Sequence, residues 1–269
     1  MAADLHVHSY YSDGFHSMED VVLRAKRKGV TEISFVDHDC VTNRVQAKLL
    51  SEKYNIAIIP GIEISAYDFK RNRKVHILGY GYDGRAQNIQ DLCEIILKRR
   101  HEHSLKQIEQ IKDAAHDIDL DEVLSYAAYS EVIYKQHIMR ALIDAPYSSS
   151  SYQQLYRSLF KGNGVAAGDI TYVCAIEAVE AIVADGGLAV LAHPGQLDSF
   201  DFVPQLVQHG LRGIERNHHD HTMHDLKQTE ELATKYNLIM TGGSDFHGLY
   251  GKDIEVGEIR SPELLSDKI

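Results

Sequence analysis

Short apolar segments of this chain carry, one after another, a histidine or a carboxylate residue close to one of their ends. We predict strands from seven of these segments, at residues 4–8, 32–38, 57–65, 74–81, 188–194, 213–217 and 238–245. Helical patterns separate most of them, and such alternation is typical of βα units around a parallel sheet. In barrels built from these units, functional residues gather at the carboxyl ends of the strands. We therefore expect the polar residues at the strand ends to share one rim.

Nine side chains are placed to reach that rim. His6 and His8 are two residues apart on the first predicted strand, so both face the same side. His76 lies early in its strand, but the link 66–73 is too short for a parallel crossover. An antiparallel strand there would bring His76 to the same rim. The nine candidate metal ligands are His6, His8, Asp13, His38, Glu63, His76, His193, Asp245 and His247.

The chemistry of this set favours a cluster of divalent cations. Imidazole nitrogens and carboxylate oxygens without thiolates suit zinc, manganese or iron(II). The nine groups exceed the needs of one ion, so we predict two or three. Ions about 3.5–4 Å apart suit in-line displacement at phosphorus, because they hold the attacking and leaving oxygens together. Each motif alone is weak evidence, since one His-x-His on a strand is usually structural, but their convergence predicts a site.

Composition excludes several other classes of protein. The net charge of −11 argues against a general binder of long nucleic acids or of membrane surfaces. The three cysteines are far apart and form no CxxC pair, which suits a reducing compartment. No signal peptide and no run of 18 apolar residues is present, so we expect a cytoplasmic protein.

A long helical block interrupts the alternation of strands and helices. We predict helices at 89–116, 120–129, 131–144 and 152–160. The predicted organisation is a barrel formed by 1–83 and 170–269, with a helical subdomain inserted at 84–169 that can cover the site. Within this block, the basic run 98–100 and three histidines are interpreted as exposed: His101, His103 and His116.

The chain resembles the PHP family, the polymerase and histidinol phosphatase superfamily. Its motifs occur in family order: Asp4-Leu5-His6-Val7-His8, Asp37-His38-Asp39, Gly61-Ile62-Glu63, His76-Ile77-Leu78-Gly79, Ala192-His193-Pro194, Gly213-Ile214-Glu215 and Gly243-Ser244-Asp245-Phe246-His247. The resemblance implies a distorted (β/α)7 TIM-like barrel with up to three metal ions. It also implies three ligand sets: His6, His8, Glu63 and Asp245; Glu63, His76 and His193; and Asp13, His38 and His247.

Within the family, the chain looks like the stand-alone phosphoesterases. Those act on 3′,5′-nucleoside bisphosphates or on the 5′ ends of short RNA. Relatives often carry Arg-Pro-His where this chain has Lys135-Gln136-His137, so the bidentate grip of an arginine on phosphate is lost there. The resemblance implies substrate contacts from Lys135, His137 and Asn217, and a proton donor in His221.

We therefore predict a metal-dependent phosphoesterase that hydrolyses a phosphomonoester of a nucleotide-like substrate. A hydroxide activated by the ions would attack phosphorus. The expected partners are a phosphorylated small molecule or a short 5′-phosphorylated oligonucleotide. The alternatives are a histidinol-phosphate phosphatase, a polymerase-associated proofreading nuclease and, from another class, a non-catalytic module braced by metal. The last would require missing ligands, and all nine are present.

Overall fold

The fold is described for residues 2–268 of a computed structural model of the chain. Within this range the strands are β1 (Ala3–Val7), β2 (Glu32–Phe35), β3 (Ala57–Asp68), β4 (Arg73–Tyr80), β5 (Val173–Cys174), β6 (Leu188–Leu191), β7 (Gly213–Asn217) and β8 (Ile239–Gly242). The α-helices are α1 (Met18–Arg27), α2 (Arg44–Tyr54), α3 (Gln87–Asp113), α4 (Leu120–Tyr126), α5 (Lys135–Leu142), α6 (Ser150–Phe160), α7 (Ala175–Ala184), α8 (Val203–Gln208) and α9 (Met223–Tyr236).

Seven of the strands form a sheet that curls into a nearly closed barrel. Their order is β1-β2-β3-β4-β6-β7-β8, and β5 pairs with β3 beside this path. The two edges meet through main-chain hydrogen bonds from His8 N to Phe246 O (3.0 Å) and from Asp245 N to His6 O (2.8 Å). The predicted α/β barrel with its helical insertion is confirmed.

The fourth strand runs against its neighbours, as the short link before it predicted. β4 pairs antiparallel with both β3 and β6, whereas the other neighbouring strands along the path are parallel. The Asp68 side chain forms the turn by accepting hydrogen bonds from the main-chain nitrogens of Lys70 (3.1 Å) and Arg71 (3.2 Å). An Asx turn of this kind favours a hairpin over a crossover.

Local signals set the ends of the outer helices. The Ser17 side chain accepts a hydrogen bond from Asp20 N at 3.1 Å and so caps α1. Met18, Val21 and Val22 then lie buried against the sheet. Within residues 2–268, no helix has both the length and the apolar character that crossing a membrane requires.

Helices α3 to α6 separate β4 from β5 and bury apolar residues of their own, including Ile111, Val123, Ile138 and Leu159. Several predicted helix ends were wrong. The helix predicted at 131–144 spans only Lys135–Leu142, and α6 begins at Ser150, two residues before its predicted start. The Ser149 hydroxyl caps α6 by accepting from Tyr152 N at 3.2 Å, and this local signal was missed.

Candidate metal centre and substrate cavity

The nine predicted ligands lie together at one rim of the barrel. β1 and the loop after it supply His6, His8 and Asp13, while β3 and β4 supply Glu63 and His76. The remaining four follow β2, β6 and β8: His38, His193, Asp245 and His247. His76 reaches this rim because β4 is antiparallel.

Glu63 lies at the centre of the group and is 1% exposed. Its two carboxylate oxygens are within 3.5 Å of ring nitrogens of five histidines: His6, His8, His38, His76 and His193. A single carboxylate with this many imidazoles around it is placed to bridge two cations. The neighbouring histidines outweigh the opposing effect of burial, so the pKa of Glu63 lies well below its ordinary value.

The spacing of the donor atoms fits shared metal ions. The Nε2 atoms of His6 and His8 each lie 3.3 Å from Asp245 Oδ1. Two ligands about 2.1 Å from one tetrahedral ion stand about 3.4 Å apart, which is longer than a good N–H···O bond. Both ring nitrogens of His8 are buried and lack a hydrogen-bond partner among residues 2–268. An unpaired buried imidazole is costly. A bound cation accounts both for the spacing of the donor atoms and for the unpaired nitrogens of His8.

Three overlapping groups bring their donor atoms within 4.8 Å of one another. The first contains His6, His8, Glu63 and Asp245, as the resemblance implied. The others are His38, Glu63 and His76, and His8, Asp13, His38 and His247. They differ from the implied sets in that His8 and His38 each belong to two groups. His193 touches the cluster through Glu63 Oε1 at 2.9 Å.

Two residues that were given no role hold these ligands in place. Glu215 accepts hydrogen bonds from His6 Nδ1 (3.0 Å) and from the His193 main-chain nitrogen (2.7 Å). Burial opposes ionisation of Glu215, but the adjacent His6 outweighs it and lowers the pKa of Glu215 to about 2. Carboxylates that fix the second nitrogen of a metal-binding histidine also fix its tautomer. The available signal was the place of Glu215 in β7, two residues before the end of the strand.

His218 holds Asp245 in the same way. Its Nδ1 accepts a hydrogen bond from the Asp220 main-chain nitrogen at 3.1 Å, so the ring proton belongs on Nε2. That nitrogen lies 3.2 Å from Asp245 Oδ2 and donates to it. The resemblance pointed to His221 in this segment, whereas the contact with Asp245 is made by His218.

The structure gives His221 and Asn217 main-chain partners that leave their predicted roles without support. His221 Nδ1 donates to the Arg216 carbonyl at 2.7 Å, and its Nε2 accepts from the Gly195 main-chain nitrogen at 3.1 Å. Both nitrogens are therefore engaged by main chain, and no proton is left for a leaving group. Asn217 donates to the Arg260 carbonyl at 2.8 Å and lines neither cavity near the rim.

A cavity of about 420 Å³ extends from the rim under the inserted helices. A smaller one of about 230 Å³ lies over Glu63 and Asp245. The two share five lining residues: His38, His76, Gln136, Tyr147 and Gln196. The larger cavity is lined by four cations, Lys74, Arg100, Lys135 and Lys161, against two carboxylates, Asp13 and Asp169. Its electrostatics therefore suit an anionic ligand that reaches the metal rim.

Of the two predicted substrate residues on α5, only Lys135 lines this cavity. Its Nζ is 3.9 Å from Asp169 Oδ1, and burial lowers the pKa of Lys135 to about 8. His137 is instead 1% exposed, and its Nδ1 accepts from Tyr134 N at 3.1 Å, which caps the helix. The position of His137 therefore gives no support to its predicted contact with substrate. Gln136 lies at the rim, where it donates to Asp13 Oδ2 at 2.8 Å.

The interpretation of the basic run 98–100 as exposed was wrong for Arg100. Its side chain is 16% exposed and donates from Nη2 to Asp39 Oδ2 (2.9 Å) and Ser65 Oγ (3.0 Å). Its guanidinium also lies 4.8 Å from the centre of the Tyr134 ring. Arg100 lies on the same side of α3 as the buried residues Cys93 and Ile96. The prediction of exposure relied on the charge of Arg100 and not on this helical spacing. His103 lines the cavity too, whereas His101 is exposed as predicted.

With this fold and this rim, the chain can be compared with known proteins. The model of the PHP domain family matches residues 4–185, and the chain belongs to that family. The protein is therefore a metal-dependent phosphoesterase, as predicted from its motifs.

Two curated relatives extend over almost the whole chain. A phosphoribosyl 1,2-cyclic phosphate 1,2-diphosphodiesterase from Eggerthella lenta is 48% identical and covers 96% of this chain and 98% of its own length. A 3′,5′-nucleoside bisphosphate phosphatase from Chromobacterium violaceum is 27% identical, with 93% and 90% covered. Among solved structures, a putative metal-dependent phosphoesterase from Bifidobacterium adolescentis shares the fold with a TM-score of 0.87 at 24% identity, covering 96% of this chain and 92% of its own.

Proposed function

We propose that this enzyme opens the cyclic phosphodiester of a phosphorylated sugar of the phosphoribosyl 1,2-cyclic phosphate class. The observation that carries the proposal is the cluster at the rim, formed by eight grouped residues and by His193 beside Glu63, which continues into a cavity with a surplus of cations. A substrate with a phosphodiester at one end and a phosphate at the other matches these two features. The 48% identity to the Eggerthella lenta enzyme supports the same assignment.

In this proposal the nine rim residues hold two or three divalent ions, of which manganese, iron and zinc fit the donors. Bound ions would lower the pKa of a water molecule and neutralise charge on the phosphoryl oxygens. Hydrolysis forms one bond from the water oxygen to phosphorus and breaks one bond from phosphorus to a sugar oxygen. The released sugar oxygen takes a proton, and the product is a phosphomonoester.

The other residues of the chain position the reactants. Glu215 and His218 would keep His6 and Asp245 oriented for metal binding. Glu215 bonds to Nδ1 of His6 and His218 bonds to Oδ2 of Asp245, which leaves His6 Nε2 and Asp245 Oδ1 for the metal. Lys135 and Lys74, which both lie near Asp169, would bind the remote phosphate. We further propose that segment 84–169 acts as a lid between the barrel parts 1–83 and 170–269 and excludes water from the cavity.

A 3′,5′-nucleoside bisphosphate is a second candidate substrate. Five tyrosines line the larger cavity and offer aromatic faces for a base: Tyr134, Tyr147, Tyr152, Tyr156 and Tyr172. The Chromobacterium violaceum relative also carries that substrate in its name. Lys135 would then bind the phosphate that is not cleaved.

A substrate panel distinguishes the two candidates. Protein loaded with manganese, iron or zinc is incubated with phosphoribosyl 1,2-cyclic phosphate, adenosine 3′,5′-bisphosphate, histidinol phosphate and a short 5′-phosphorylated RNA. Phosphorus NMR follows each reaction, and a chelator-treated sample controls for metal dependence. We expect the cyclic sugar phosphate to give the highest kcat/KM. A preference for the bisphosphate would replace the first candidate by the second, and turnover of neither would reject both.

A further inference from the structure

One face of α3 is apolar over most of its length but polar where the helix passes the larger cavity. Before and after the cavity, the buried residues on this face are apolar: Ile89, Cys93, Ile96 and Ile111. Beside the cavity, the helix instead presents four polar residues: Arg100, His103, Ser104 and Gln107. Positions three and four apart share one side of a helix, so these four lie together. Polar groups are costly in a buried face unless they are paired.

Three polar atoms of this face are buried and have no hydrogen-bond partner within residues 2–268. They are Nε of Arg100, Nε2 of His103 and Oε1 of Gln107. Gln107 is 1% exposed, and its amide nitrogen donates to the Ala166 carbonyl at 2.6 Å. A carbonyl can only accept, so the amide oxygen of Gln107 must be the atom turned away from Ala166. Ser104 differs, because its hydroxyl donates to the Ile133 carbonyl at 2.7 Å.

The chemistry of Gln107 Oε1 selects a hydroxyl group over a phosphate group. Gln107 Oε1 only accepts hydrogen bonds, so it repels a phosphate oxygen and attracts an O–H. Burial lowers the pKa of His103, so its imidazole is neutral. Arg100 Nε can only donate. A sugar hydroxyl both donates and accepts, and it satisfies either type of atom.

The spacing also suits a small ligand. Arg100 and Gln107 are seven residues apart, which is about 10 Å along the axis of α3. Arg100 is beside the metal rim through Ser65 Oγ, which lies 3.4 Å from His38 Nδ1. A ligand whose reacting phosphate is at the rim would therefore extend its sugar along this face. Lys74 and Lys135 line the same cavity and suit its remote phosphate.

We propose that Arg100, His103 and Gln107 form a hydroxyl-recognition face that binds the sugar of a phosphorylated monosaccharide. This inference rests on the proposed function and names the residues that select its substrate. Lys74 and Lys135 hold the remote phosphate, and α3 binds the 3-hydroxyl group and the ring oxygen, the sugar atoms left free between the two phosphates.

The test compares two substrates in three variants. Phosphoribosyl 1,2-cyclic phosphate has one free sugar hydroxyl, at C3, and a ring oxygen, whereas bis(p-nitrophenyl) phosphate has neither. For His103→Gln and Gln107→Leu, we expect the ratio of kcat/KM on the sugar substrate to that on the aryl substrate to fall about tenfold, the effect of one lost hydrogen bond. The matched control is His101→Gln, an exposed position on the same helix, and its ratio should equal that of the unaltered protein. Equal losses on both substrates, or no loss on the sugar substrate, would overturn the inference.

A second measurement separates this inference from the proposed function. Ribose 5-phosphate has the hydroxyls and the remote phosphate but no phosphodiester. We expect it to inhibit hydrolysis of bis(p-nitrophenyl) phosphate competitively, with an inhibition constant about tenfold higher in His103→Gln. If the cyclic substrate is not turned over but this difference is found, the proposed reaction fails and the recognition face stands. An inhibition constant that is the same in both proteins, or no inhibition at all, would refute the proposal that this face recognises hydroxyl groups.

Discussion

The Tyr134 hydroxyl donates a hydrogen bond to the main-chain carbonyl of His38 at 2.9 Å. Tyr134 belongs to the inserted segment and His38 to the metal rim, so the insertion is bonded directly to a candidate ligand. Arg100 reinforces this link, because it lies over the Tyr134 ring and donates to Ser65, which faces His38 Nδ1. The insertion thus contributes to the geometry of the metal centre as well as to the cavity.

Removing this hydroxyl should weaken metal binding without unfolding the protein. We expect Tyr134→Phe to lower the affinity for one ion about tenfold, because bonds that orient a ligand typically have effects of 10–100-fold. Titration calorimetry with manganese and metal analysis after dialysis measure this. Tyr156→Phe is the control, since Tyr156 packs on Phe160 inside the insertion. Identical affinities in the two variants would show that Tyr134 does not position His38.

Glu63→Gln should lower the metal content of the purified protein. A carboxylate placed between five imidazoles can neutralise two cations, whereas an amide carries no charge. We expect fewer bound ions and an activity loss of at least about 100-fold. Glu94→Gln, on the exposed side of α3, serves as the control. Full metal content in Glu63→Gln would contradict a bridging role.

The KM of the enzyme should rise with pH as Lys135 loses its proton. Burial lowers the pKa of Lys135 to about 8, so the ammonium form prevails below pH 8 and is lost above it. The charged groups that influence it are Asp169, Lys74, Lys161 and Arg100. For a substrate with a remote phosphate, we expect KM to be constant from pH 6.5 to 7.5 and to increase beyond about pH 8, with kcat much less affected.

Lys135→Arg tests this assignment, because arginine stays protonated throughout this range. Its KM should not show the rise above pH 8. A rise of the same size in Lys135→Arg would assign the titration to another group. Bis(p-nitrophenyl) phosphate, which has no remote phosphate, should show no such rise in either protein.

His137→Ala should lower the stability of the protein, whereas loss of the substrate contact that the resemblance implies would raise KM. His137 is buried and caps α5 through Tyr134 N, so its loss removes a cap and leaves a void. We expect a decrease of about 2 kcal/mol in the free energy of unfolding. Denaturant titration measures it, with His101→Ala as the exposed control. A KM increase with unchanged stability would restore the substrate role.

The strand ends of the sequence predicted which side chains share the rim, because their signal is periodic. Apolar segments of strand length that end on His6, His38 or His193 fix both an element and a direction. The hairpin before His76 followed from loop length alone. The identity of the family added the grouping of ligands, which periodicity cannot supply.

The contribution of the insertion was harder to predict, because it depends on contacts between distant segments. Arg100 is buried only because Asp39 and Ser65 lie opposite, 61 and 35 residues away. His137 and Lys135 are two residues apart and therefore lie on different sides of α5. His137 is buried, whereas Lys135 lines the cavity. The two-residue strand β5 was also missed, since so short a segment has no periodicity.

The closure of the barrel between β1 and the segment after β8 sets an order of events during synthesis. His6 emerges from the ribosome early, but Asp245, which lies 3.3 Å from it in the folded protein, emerges 239 residues later. Until then the histidines near the amino terminus have neither this carboxylate nor their neighbours across the seam. A nascent chain therefore cannot assemble the first ligand group until the barrel has closed.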